Sequence, residues 1–503
     1  MNSASVVLED KDVAHQPKSA INSHILETDQ QPLPEGSAYV LDHAAERALC
    51  RKFDVRLLPL LAVMYLCNTL DKGNLGNAKT NNLEKNLNLT GNQYNIILSV
   101  FYVPFVLGAP PIAMIGKKYG PAIVLPALMA CFGILTLLLV AATNFSGMVA
   151  LRWFIGLTES AFFALLVYYL TTFYRRSELG RRLAITYAAG NMANAFSGLL
   201  AFAIFRIKNH RFYSWRYLFL IEGLLTFGLA IIAYLNLPFD VTSARFLNEE
   251  EKKLAYHRLQ TDSSSTVNEP FNLKEAVRIF NQPTTYVFLA IEMCLGVPLQ
   301  SASLFLPQIV ARLGYSTVKT NLFTVAPNIC GAVVLLILAF SSDFTRCRSI
   351  FIIIGFALAF VGFTIHATID VVTHTRIAYF ATFLICSGVS VPSALLSTWY
   401  NNNVPHEGRR VMLTSVGVPL ANLMGLVSSN IFSPQTAPKY RPALVTTAAF
   451  GGTGALITAS LALFMTLDNR KRNKKFGRKL TTGDVSTELL QEGPGVAEFR
   501  WFL

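Results

Sequence analysis

Charge is scarce in this chain. Asp, Glu, Lys and Arg make up 15% of its 503 residues, against roughly a quarter in an ordinary soluble protein. That is too little to clothe a water-facing surface, and the 52% of hydrophobic residues are bunched into runs of about twenty, the length a helix needs to cross a bilayer core. The seven cysteines include no C-x-x-C pair, and Cys67, Cys131, Cys294, Cys330 and Cys386 lie within apolar runs. Such thiols are packing residues rather than metal ligands or half-cystines. The polar start, MNSASVVLEDKDVAHQPKSAINSH, lacks the apolar core of a cleavable signal peptide, so the first hydrophobic span is expected to direct insertion. There is no G-x-x-x-x-G-K-[ST], no H-E-x-x-H and no G-x-S-x-G. The signatures of ATP-driven, zinc-dependent and serine-hydrolase chemistry are therefore missing, and nothing calls for a cofactor or metal.

What is present is a pattern of spans. Twelve are expected, at about 54–77, 94–116, 120–142, 147–174, 182–205, 215–237, 284–311, 321–342, 349–367, 376–400, 409–432 and 442–467. The net charge of +13 is carried by short basic clusters between spans, such as Arg175, Arg176, Arg181 and Arg182, and by a basic stretch after the last. That distribution directs topology and does not build a nucleic-acid surface. It puts both termini in the cytoplasm, although Arg206, Lys208 and Arg211 on an outer loop argue the other way. The sequons at Asn88 and Asn144 fall in loops this topology places outside, as glycosylation requires.

The expected division is a cytoplasmic tail (1–50), a six-helix bundle (51–237), a charged connector (238–283) with Ser243 as a helix-cap candidate, a second six-helix bundle (284–467) and a cytoplasmic tail (468–503). The fold class is an all-α membrane protein of two similar halves, as in duplicated transporters. A monomer suffices for such a fold, and its partners are the lipid bilayer, a solute and protons.

Within "ALRWFIGLTESAFFALLVYYL", residues 150–170, Arg152 and Glu159 are the only charges. Seven residues apart, they share a helix face about 10 Å apart in depth, with Gly156 between them. Charged side chains in a span mark solute or proton pathways, and a buried carboxyl beside a guanidinium is the minimum machinery for moving an anion with a proton. The competing reading is a structural pair that fixes packing. Asp71, read as ending span one in "LDKGN", is a candidate partner or an interfacial helix-end charge. Asn191, Asn194, Gln300, Asn328 and Asn422 are candidates to line a cavity or to bond between helices.

Twelve spans in two halves with a cytoplasmic connector resemble the major facilitator superfamily. "FSSDFTRCRS" resembles its loop motif through Asp343, Arg346 and Arg348, while "IGKKYGPA" departs from it, with Lys117 where the motif has Asp. "RKFDVRLLPLLAVMYLCNTLDKGNLGNAK", "LTGNQYNIILSVFYVPFVL", "FYRRSELGRRLA", "NNVPHEGRR" and "SSNIFSPQTAPKYRPAL" resemble the anion:cation symporter family, in its fungal branch of allantoate, nicotinate and pantothenate permease-like proteins. The resemblance runs from about residue 45 to 470. It implies a plasma-membrane symporter of a small organic anion, typically proton-driven, and its span-four Arg-xxx-Gly-xx-Glu pattern matches Arg152, Gly156 and Glu159. Glu292 stands where relatives usually have an uncharged residue, which suggests an individual specificity. The alternatives are export or intracellular movement of a metabolite, and a non-transporting nutrient sensor.

Overall fold

With water excluded, a spanning segment must satisfy its backbone polar groups internally, and helices do so. The computed structural model describes residues 43–174, 176–206, 213–263, 273–345, 347–404, 407–477 and 499–503, and among these every regular element is helical. In chain order they are α1 (His43–Arg56), α2 (Leu58–Thr80), α3 (Leu83–Asn86), α4 (Gln93–Tyr119), α5 (Pro121–Leu139), α6 (Phe145–Glu159), α7 (Phe162–Thr171), α8 (Arg176–Ile204), α9 (Ser214–Asn236), α10 (Glu249–Ser263), α11 (Leu273–Val277), α12 (Pro283–Ala311), α13 (Thr317–Phe323), α14 (Val325–Thr345), α15 (Arg348–Thr368), α16 (Thr375–Asn403), α17 (Glu407–Ile431) and α18 (Arg441–Phe476). Prolines open α2, α5, α12 and α18, where the missing N–H would have no intrahelical partner anyway. Gly120, at φ +88°, makes the turn between α4 and α5.

Eleven helical stretches among the described residues are long and apolar enough to cross a membrane. The remaining expected span, α8, does not meet that criterion. It opens with charges and carries Asn191, Asn194 and Ser197, of which Asn194 and Ser197 meet α2 at Gly73 and Asn77. Large apolar side chains such as Leu107, Phe154, Leu235, Phe380 and Leu456 are exposed, as bilayer-facing positions require.

Helix pairing repeats between the halves. α2 packs on α8, α5 on α9 and α4 on α6; in the second half α12 packs on α17, α15 on α18 and α14 on α16. Across the seam α8 meets α14 and α4 meets α17, again equivalent positions, so the halves are related as two copies of one unit. At the face carrying the connector each half has its own core. One holds Phe53, Leu125, Tyr169 and Leu237, and the other Phe288, Trp399, Leu461 and Met465. At the far face the core is shared, with Tyr94, Phe101 and Trp215 beside Phe305 and Phe432. Cross-seam hydrogen bonds lie toward that face: Asn95 to the Phe432 carbonyl (3.3 Å), Ser99 with Ser429 (2.7 Å) and Asn321 to Thr80 (3.2 Å).

Four sequence expectations need correction. Span four is two helices, because the chain breaks at Ser160 and Ala161 directly after Glu159. Span eight is also divided, at Thr324 between α13 and α14, where Pro327 cannot donate to the Phe323 carbonyl. α2 continues to Thr80, so Asp71 lies inside span one rather than at its end. Ser243 caps no helix: its hydroxyl and amide close a turn on Asp240, and α10 begins at Glu249. In addition, α18 runs on to Phe476, beyond the expected limit at 467.

Candidate functional site

The site starts from a polar stripe on α2. Asn68, Asp71, Asn74 and Asn77 recur every third residue and are all buried, which places them on one face. That face meets α8 and α9. Asn77 donates to Ser197 (2.6 Å), Ser197 donates to Asn74 (2.6 Å), and Asn74 donates to the Glu222 carboxylate. Asp71 accepts from Arg152 of α6 at 3.2 Å and from Thr136 of α5 at 3.5 Å.

Arg152 is thus occupied. Its guanidinium pairs with Asp71, lies 4.8 Å from the centre of the Phe101 ring and is almost wholly buried. Gly156, about one turn further along, lets α4 come so close that a Cβ there would strike the Phe101 carbonyl oxygen. Gly156→Ala is therefore expected to cost about 2 kcal/mol, within the usual range for overpacking, read as earlier thermal unfolding in detergent; unchanged unfolding would deny the close approach.

Glu159 is the last residue of α6. Both its carboxyl oxygens are buried with no hydrogen-bond partner. The nearest cation is Lys72, 4.0 Å away, whose ammonium also sits 4.6 Å from the Phe105 ring centre. Within the Asp71–Lys72–Arg152–Glu159 cluster Lys72 is the most open, with 16% of its side chain exposed against 2%, 2% and 0% for Asp71, Arg152 and Glu159. Lys72 is the residue the sequence reading passed over. The signal was available in the three-residue stripe, which continues past it to Asn77 and shows that the helix has not ended.

The remaining candidates separate into groups. Gln300 of α12 accepts from Tyr102 of α4 (2.9 Å) and donates to Asn422 of α17 (3.2 Å), a chain that joins the two halves; Tyr102 was not foreseen. Asn194 and Asn328 line one narrow cleft with Asn77, Ser197 and Thr324, and Asn191 is half-buried on α8. Glu292 stands apart, buried on α12 where Gly417 of α17 leaves room beside it and the Tyr400 hydroxyl. Arg348 bonds Asp343 at 3.2 Å, while Arg346 lies outside the described residues. Asn88 and Asn144 are exposed, and the Asn144 side chain caps α6 by accepting from the Gly147 amide (2.8 Å).

Two repeated helical halves sealed at one face, with charges buried against a broken helix in the first, define a polytopic membrane protein built as a secondary transporter. Comparison with known proteins gives the family. A sequence model of the Major Facilitator Superfamily matches residues 61–429, and the chain belongs to that superfamily. It is 54% identical over 465 residues to an uncharacterized transporter of Schizosaccharomyces pombe, covering 92% of both chains. To the high-affinity nicotinic acid transporter of Saccharomyces cerevisiae it is 27% identical over 430 residues, covering 84% of this chain and 78% of the other. Among solved structures, the xylose transporter XylE from E. coli superposes with a TM-score of 0.62 at 14% identity, over 81% of this chain and 98% of XylE, a likeness of fold alone.

Proposed function

We propose that the protein is a proton-coupled symporter of a small organic anion, working by alternating access between halves spanning about residues 51–237 and 284–467. The observation that carries this reading is Lys72, a partly open ammonium within span one, 4.0 Å from the Glu159 carboxylate, which has no hydrogen bond of its own, while Asp71 is held by Arg152. An incoming carboxylate competes with Glu159 for Lys72. A carboxylate left alone in a low-dielectric interior costs several kcal/mol, so Glu159 takes up a proton as the anion binds. Arg152, tied to Asp71, keeps the wall in place and gives the cluster its balance of charge. Gln300 and Asn422 offer neutral hydrogen bonds from the opposite side of the seam, and Tyr102 of α4 reaches across it to Gln300.

In this proposal the connector face is cytoplasmic and both tails lie there. Lys117, Lys118, Arg181, Arg409 and Arg410 on that side follow the positive-inside rule. The membrane is the plasma membrane, and the exposed sequons at Asn88 and Asn144 point outside. The shared far-face core then makes this the inward-facing state. The nicotinic acid transporter among the relatives supports a small carboxylate as substrate.

The test is uptake by cells expressing the protein, offered labelled nicotinate, pantothenate, allantoate or biotin at acidic and neutral external pH. Uptake of at least one that rises in acid and collapses with a protonophore is expected. Accumulation indifferent to both would return the protein to the reading of an exporter or intracellular transporter of a metabolite.

A further inference from the structure

We infer that residues 499–503, the sequence FRWFL, are a docked strap that holds the second half in its present conformation and so regulates the transport cycle. The inference rests on the chain being a transporter and is independent of what it carries.

The strap's seat is built for main chain. The Trp501 amide donates to Asn469 Oδ1 (2.9 Å) and its carbonyl accepts from Asn469 Nδ2 (2.9 Å). Phe502 is held the same way by Asn403, its amide donating to Oδ1 (2.8 Å) and its carbonyl accepting from Nδ2 (3.0 Å) and from Trp399 Nε1 (2.9 Å). A carboxamide presents one acceptor and a donor group side by side. Two of them, on α16 and α18, read the main chain of two successive residues.

Side chains fix the register. Trp501 Nε1 donates to Asp468 (2.8 Å), Arg500 Nε donates to Asn473 (2.8 Å), and the Leu503 carbonyl accepts from the Arg348 amide at the start of α15 (2.5 Å). Phe499, Arg500 and Trp501 are all buried. The Phe499 and Trp501 rings meet edge to face at 4.9 Å and join the core that holds Trp399, Leu461 and Met465.

The mechanical consequence comes from Pro392. It interrupts the hydrogen-bond ladder of α16 at Gly388, and the strap grips α16 beyond that point, at Trp399 and Asn403. It ties this end of α16 back onto α15 and α18, within its own half. For the connector face to close, the same end must approach the first half, where α8 is its neighbour. The docked strap opposes that movement, so it favours the state in which the far face is sealed.

A thiol at the far-face seam reports the balance. Ser429 is fully buried there against Ser99. The full-length protein carrying Ser429→Cys is placed in lipid nanodiscs, which expose both faces, and maleimide labelling of that thiol is followed by peptide mass spectrometry. Adding Phe499→Ala with Trp501→Ala is expected to speed labelling at least threefold, and excess FRWFL peptide to slow it again. Asn469→Leu, which removes the two main-chain bonds to Trp501 and leaves both aromatic anchors, is expected to act in the same direction. Equal labelling with and without these changes overturns the inference. So does loss of folded protein in both backgrounds, because the segment would then be only a brace.

Discussion

Glu159→Gln is expected to abolish accumulation driven by a pH gradient while leaving exchange of substrate across the membrane. One proton moving with one monovalent anion is electroneutral, so the pH difference alone drives the pair. Each pH unit is worth about 1.4 kcal/mol, a factor of ten, and about two units would support a concentration ratio of roughly a hundred. Glutamine has the shape of the protonated acid and cannot release the proton. The variant should therefore still bind and still reorient when loaded, because Lys72 no longer has a carboxylate competing for it. In cells, accumulation against a gradient should fall to a ratio near one, while preloaded vesicles exchange labelled for unlabelled substrate at a rate close to the parent's. The pH dependence should flatten for the same reason. If acid-driven accumulation survives this substitution, Glu159 is a packing residue and the coupling scheme fails.

Much of the architecture was legible because a bilayer imposes one dominant length scale. The spans announce themselves as apolar runs, and most of their edges move by only a few residues, the start of α8 and the end of α18 moving further. The exceptions have physical causes. Asp71 was placed at the end of span one, although α2 continues to Thr80, because Asp71 and Lys72 read as an interface when hydropathy alone is considered. The recurrence of Asn68, Asp71, Asn74 and Asn77 at helical spacing says otherwise. The break in span eight had a visible cause in Pro327. The break after Glu159 had none, since neither Ser160 nor Ala161 disrupts a helix by itself, and tertiary packing decides it.

The site was legible in part. Arg152 and Glu159 share a face, as their spacing requires, but their partners come from α2, some eighty residues earlier in the chain. Nothing local joins Arg152 to Asp71 or Glu159 to Lys72. Gln300 and Asn422 were both singled out as polar residues in apolar spans, and the bond from Tyr102 to Gln300 belongs to the seam rather than to either helix. The strap was invisible for a similar reason. Asn403, at the end of α16, and Asn469, within the last turns of α18, are ordinary polar residues until a chain lies between them.

The second large effect concerns which cation meets the anion. The sequence pattern favours Arg152, whereas the geometry favours Lys72, because Arg152 is committed to Asp71 and nearly sealed. Lys72→Gln keeps a polar side chain but loses the charge, and it leaves Glu159 without its cation. Apparent affinity for the transported anion is expected to fall about a hundredfold, a loss typical of a buried charge pair robbed of one partner. Lys72→Arg retains the charge, and a guanidinium also stacks on aromatic rings such as Phe105, so it should recover most of that loss. Arg152→Lys should behave differently. It weakens the tie to Asp71 and lowers thermal stability, with affinity changed by only a few fold once protein at the membrane is matched. The decisive comparison is the KM of the Lys72→Gln and Arg152→Lys variants, measured with the same labelled substrate under saturating acid drive. A large rise in KM for Arg152→Lys, with none for Lys72→Gln, would reverse the assignment and make the Arg152–Asp71 pair a gate that opens to receive the substrate.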